Sequence, residues 1–114
     1  MLREHGAKHS LFYAAEQDMV ELVADLIKEG SDVNEKEHYG RTSLHLASLY
    51  GHAAVVQTLL QHCADVAALN EGGQTPLDEA EYCNDVVKKE EVKAVFAKHS
   101  LLLAAQVGAA ELAP

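Results

Sequence analysis

Apolar residues in this chain return at helical spacing, in pairs of short runs separated by polar turns. Leu11, Ala14 and Ala15 mark a first helix over Ser10–Gln17, capped by Ser10 or His9. A turn at Asp18 leads to a second helix, Met19–Lys28, where Val20, Val23, Leu26 and Ile27 recur at three-and-four spacing before Gly30 ends it. Ser31 to Tyr39 is polar and holds Asp32 and Asn34 ahead of Gly40, the chemistry of an extended turn or hairpin. Thr42 then caps a helix to Tyr50, and Gly51 breaks it. Ala53–His62 follows, with Val55, Val56, Leu59 and Leu60 on one face. Thr75 at the cap, Pro76 at the first helical position and Asp78 two residues on open a further helix.

The pattern has a period of 33 residues. Forward, Gly40, Thr42, Leu44 and Ala47 fall on Gly73, Thr75, Leu77 and Ala80. Backward, Leu44, Ala47, Val56 and Leu59 fall on Leu11, Ala14, Val23 and Leu26. Such a period predicts an all-α solenoid, in which each helix-turn-helix unit buries its apolar face against its neighbours. Tyr39–Leu60 is the most complete copy. The units fall at about 7–36, 37–69 and 70–99 within one domain, 1–114, and residues 2–9 read as the tail of an earlier helix.

Three departures carry expectations of their own. Cys63 stands where the first unit has Gly30, and a left-handed cap there costs about 1 kcal/mol. Between Ala80 and Val95–Phe96 lie three more residues than between Ala47 and Leu59–Leu60, predicting a lengthened turn or an extended second helix around Asn84–Glu91. Residues 97–112 match residues 7–22 at nine of sixteen positions, predicting a fourth first-helix in a terminal half-unit over about 100–114, or the start of another module in a longer array. Leu101, Leu102 and Leu103 then call for burial against something.

The formal charge of −9 argues against nucleic acid, whose binding rests on Lys and Arg, and suits solubility or a basic or polar protein surface. Residues 1–36 hold eight acids and four bases, 37–69 two and one, and 70–114 eight and four, so the middle unit is nearly uncharged. Two cysteines without CxxC spacing suit a reducing compartment. The N-terminus lacks a signal-peptide run, and the apolar tract Leu101–Ala113 is too short to span a membrane. The expectation is an intracellular protein, cytoplasmic or nuclear, a monomer or part of a larger chain, without a cofactor.

Thr42-Ser43-Leu44-His45-Leu46-Ala47 followed by Gly51-His52, Leu26-Ile27 followed by Gly30-Ser31-Asp32-Val33-Asn34, and Thr75-Pro76-Leu77-Asp78-Glu79-Ala80 resemble the motifs of the ankyrin repeat family. The resemblance covers nearly the whole chain. It implies paired helices joined by hairpin fingers, and a non-catalytic adaptor holding a protein partner in a concave groove. It gives His45 and His52 a structural task, bridging backbone groups of neighbouring repeats. It places Glu16, Gln17, His38, Tyr39, Arg41, Leu49, Tyr50, Leu69, Glu71, Gln74 and Tyr82 on the fingers and the groove. Two readings of the tyrosines stand side by side: packing against adjacent hairpins, or binding hot spots, for which Tyr is an enriched type. Asn34, eight residues after Leu26, resembles a site for an asparaginyl hydroxylase, beside its simpler reading as a turn residue.

No nucleophile–base pairing or phosphate-binding loop stands out, and the seven histidines with Cys63 and Cys83 lack the close pairs of a zinc site. The alternative to an adaptor is a scaffold segment of a larger protein; an enzyme or metal protein is a weaker third.

Overall fold

The computed structural model describes residues 10–112, so the reading of residues 2–9 lies outside the described residues. Six helices follow one another: α1 (Leu11–Glu16), α2 (Val20–Lys28), α3 (Ser43–Leu49), α4 (Ala53–Gln61), α5 (Pro76–Ala80) and α6 (Val86–Leu112). They stack in two rows. α3 packs between α1 and α5, α4 packs between α2 and α6, and each first helix also contacts the second helix of its own unit.

Residue type explains the stacking. Ala14, Ala47 and Ala80 stand at one repeat position and are fully buried, so the first helices approach closely with no large side chain between them. Leu44 fills the space around Ala47, and Val23, Val55, Val56, Leu59, Val92 and Phe96 fill the core shared with the second row. The first helices are capped as their sequences predict. Ser10 Oγ accepts the Tyr13 N–H at 3.2 Å, and Thr42 and Thr75 each form a reciprocal capping box, with His45 and Asp78.

Asp18, Gly30, Gly40, Gly51, Cys63 and Gly73 have left-handed backbone, and Gly51 and Cys63 show its two consequences. Gly51, with φ of +76°, lies where a Cβ would come within 2.7 Å of Lys88 Cβ and 2.9 Å of Cys83 Sγ, so only glycine fits without movement. Cys63 adopts φ of +67°, the expected non-glycine cap.

The third unit has the expected lengthened turn and extended second helix, but not the insertion inferred to cause them. No residues are inserted around Asn84–Glu91: Val20, Ala53 and Val86 begin their helices at one repeat position, and fully buried Val92 takes the place of Leu59. Aligning Val95–Phe96 with Leu59–Leu60 created the apparent insertion. The α5–α6 turn is nonetheless longer than the α3–α4 turn, because α5 stops at Ala80.

Over the described residues 100–112, no separate helix begins where one was expected over 100–114. α6 runs unbroken from Val86 to Leu112; no glycine or proline interrupts it before Gly108, and the helix continues through that residue. Leu101 and Leu102 are exposed rather than buried.

Candidate protein-binding face

The connections 31–41 and 64–74 form two fingers built to one plan, with no strand among the described residues. In the first, Glu37 N–H donates to the Arg41 carbonyl at 2.9 Å and Gly40 N–H to the Glu37 carbonyl at 2.8 Å. In the second, Asn70 pairs with Gln74 and Gly73 with Asn70, both at 3.0 Å. The side chain at the base folds inward each time. Glu37 Oε1 accepts from the Tyr39 and Arg41 amides, and Asn70 Oδ1 from those of Gly72 and Gln74.

The fingers are also bonded to each other. Glu71 N–H donates to the Tyr39 carbonyl at 3.1 Å, Lys36 Nζ to the Leu69 carbonyl at 2.9 Å, and Asp65 N–H to Asn34 Oδ1 at 2.8 Å. Asn34 therefore already works as a turn and bridging residue.

The two implied histidine bridges are present. His45 is buried; its Nδ1 accepts the Thr42 N–H at 3.0 Å, leaving Nε2–H to donate to the Gln74 carbonyl at 2.9 Å. Burial holds its pKa below the usual histidine value, with the bond to Gln74 opposing. His52 Nε2 donates to the Glu16 carbonyl at 2.8 Å, tying the middle unit to the first.

Several of the expected face residues meet in two groups of contacts. His38 lies against Tyr39, with ring centroids 4.3 Å apart, and the Arg41 guanidinium sits 5.8 Å from the Tyr39 ring centre. Arg41 Nε pairs with Glu79 Oε2 at 3.2 Å, and Asn70 Nδ2 donates to that same oxygen at 2.7 Å. Gln74 Nε2 donates to the Tyr82 hydroxyl at 2.8 Å. Tyr50 stacks on His52 at 6.2 Å, which links it to Glu16 at the end of α1, where Gln17 forms the cap. Tyr39, Tyr50 and Tyr82 are 57%, 47% and 60% exposed, Leu69 and Glu71 are exposed, and Leu49 is half-buried. Tyr13 on α1 is 41% exposed.

Glu79, only 3% exposed, is the residue the sequence reading passed over. Its signal was a carboxylate at the repeat position filled in the middle unit by buried Leu46.

Other chemistry lies elsewhere. A cleft of about 390 Å³ between α4 and α6 is lined by Leu60, Val95, Lys98, His99 and Leu102 among others, and holds none of the expected face residues. Among the described residues, no three His, Cys, Asp or Glu side chains are grouped to hold a metal ion. No helix of the described residues is long and apolar enough to cross a membrane.

Comparison with known proteins agrees with the two-row architecture. The family described as ankyrin repeats, in three copies, matches residues 11–92. The chain is 35% identical over 81 residues to NF-kappa-B inhibitor delta of Mus musculus, covering 69% of this chain and 25% of the relative. It is 34% identical over 93 residues to serine/threonine-protein kinase 12 of Arabidopsis thaliana, covering 80% and 20%, and 35% identical over 86 residues to mouse protein phosphatase 1 regulatory subunit 12A, covering 71% and 8%. In each of these the chain spans a quarter or less of the relative's length. With three matching copies over most of its length and the paired helices that they require, this chain belongs to the ankyrin repeat family.

Proposed function

We propose that this chain is a non-catalytic protein-interaction module whose partner lies in a concave groove formed by the fingers and the first helices. The observation that carries the reading is the exposed tyrosine set, Tyr39, Tyr50 and Tyr82, on a surface whose neighbours are locked by hydrogen bonds. A preordered aromatic surface loses little entropy on binding, which suits hot spots. The family supports the general role, and relatives that include inhibitors and a regulatory subunit fit it. Leu49, Leu69, Gln74 and Glu71 complete the proposed contact surface, with His38, Arg41, Glu16 and Gln17 at its edges. The partner is a protein of basic or polar surface, met inside the cell, in cytoplasm or nucleus.

The test is a double substitution, Tyr50→Ala with Tyr82→Ala, measured against a partner captured by the wild-type chain. Affinity should fall by more than about 1 kcal/mol with the unfolding midpoint nearly unchanged. Unaltered affinity sinks the reading.

A second reading, a scaffold segment inside a longer array, is favoured by Leu77. It is 40% exposed where its counterpart Leu44 is fully buried, as expected of a unit awaiting a neighbour. Adding flanking repeats should then bury Leu77 and raise stability. Asn34 is a turn residue in either reading; the mass of one added oxygen atom on its peptide after eukaryotic expression would give it a second role.

A further inference from the structure

Charge is divided between the two helix rows. Residues 10–19, 31–52 and 63–82, which supply the first helices and the fingers, carry ten acids and only two bases, Lys36 and Arg41. Residues 20–30, 53–62 and 83–102, which supply the second helices and their approaches, carry six acids and five bases. All four tyrosines lie in the first set. The two bases there are engaged: Arg41 is neutralised by buried Glu79, and Lys36 donates to the Leu69 carbonyl. Counting unit by unit along the chain hides this division, because each unit contributes helices to both rows.

One contact within the surface shows what its aromatic rings accept. The Arg41 guanidinium lies 5.8 Å from the centre of the Tyr39 ring. A guanidinium or ammonium held over a tyrosine gains from the ring quadrupole, and surrounding carboxylates strengthen that attraction and repel acidic competitors.

We propose that the finger and first-helix surface binds an extended, Arg- or Lys-rich protein segment. Its cationic side chains lie over Tyr39, Tyr50 and Tyr82 and beside Glu16, Glu35 and Glu71. This rests on the groove reading and narrows it to one partner chemistry. The aromatic rings hold the segment, and the acidic field raises its rate of encounter and selects its charge.

The test titrates the intact chain with a fluorescent dodecapeptide of alternating Arg and Ser, beside a Glu–Ser counterpart, while amide NMR shifts locate the site. The Arg peptide should bind and shift Tyr39, Glu71, Gln74 and Tyr82, with affinity falling roughly tenfold as salt rises from about 0.05 to 0.25 M. Replacing Glu16, Glu35 and Glu71 by Gln should weaken it roughly tenfold. The same charge change on the other row, Glu21, Glu90 and Glu91 to Gln, should leave it within about twofold. Equal losses from both triples, equal binding of the Glu peptide, or shifts confined to α2, α4 and α6 would each overturn the inference. If a captured partner depends on Tyr50 and Tyr82 while the Arg peptide does not bind, this inference falls and the groove reading stands.

Discussion

Arg41 Nε lies 3.2 Å from Glu79 Oε2, so a side chain at the end of one finger is held by a carboxylate buried in the next unit. The same oxygen accepts from Asn70, so one residue of α5 holds a side chain of each finger. Glu79→Ala should cost about 1–3 kcal/mol, as Arg41 and Asn70 lose their acceptor. The loss stays moderate because Arg41 remains partly solvated. Urea unfolding of Glu79→Ala, Arg41→Met and the double variant would show coupling between the two; additive losses would refute the clamp.

Histidine 45 makes stability depend on pH. Its folded-state pKa lies below the ordinary value of 6.5, so the folded chain keeps it neutral while the unfolded chain binds a proton as pH drops through that value. The unfolded state then carries more protons, and its stabilising contribution, complete above about pH 6.5, is lost as pH falls. The stability difference between wild type and His45→Gln should narrow by up to about 1.4 kcal/mol per pH unit below that point. Denaturant midpoints from pH 8 to 5 measure it.

Gly51 and Cys63 share left-handed backbone but not surroundings. Gly51→Ala should lose about 2 kcal/mol or more, from strain and from the collision with Lys88 and Cys83. Cys63→Gly relieves the same strain at an exposed turn and should gain up to about 1 kcal/mol. Thermal unfolding midpoints moving in opposite directions would establish both.

Ser43 is the first residue of α3, as Pro76 is of α5, and its buried hydroxyl makes no hydrogen bond. Thr42 already has the extended backbone, ψ of 171°, that a following proline demands. Ser43→Pro should stabilise by about 1 kcal/mol, removing an unpaired polar atom and restricting the unfolded chain. A lower unfolding midpoint would show that packing around residue 43 cannot take the ring.

The helix pairs and their caps were readable from the chain, because each depends on residue type at short range or on a repeat of fixed length, while the two histidine bridges were implied by the family resemblance alone. The third unit was misread for the same reason. Val95–Phe96 look like Leu59–Leu60, yet burial gave that place to Val92, and no glycine or proline interrupts α6 before Gly108. Tyr39, Tyr50 and Tyr82 are exposed, and the hydrogen bonds that hold their neighbours were not legible in the sequence.

The sequence by itself determined the period, the family resemblance and the apolar core of the first two units, since these follow from spacing and side-chain volume. Only the tertiary structure decided that Glu79 clamps Arg41 and Asn70, that Gln74 reaches Tyr82, and that acids and tyrosines gather in one helix row. Arg41 and Glu79 come from different units and meet only through stacking, while Asn70–Glu79 and Gln74–Tyr82 join a finger to the helix that follows it in one unit. A distance between side chains tens of residues apart exists only once the solenoid has closed around its core.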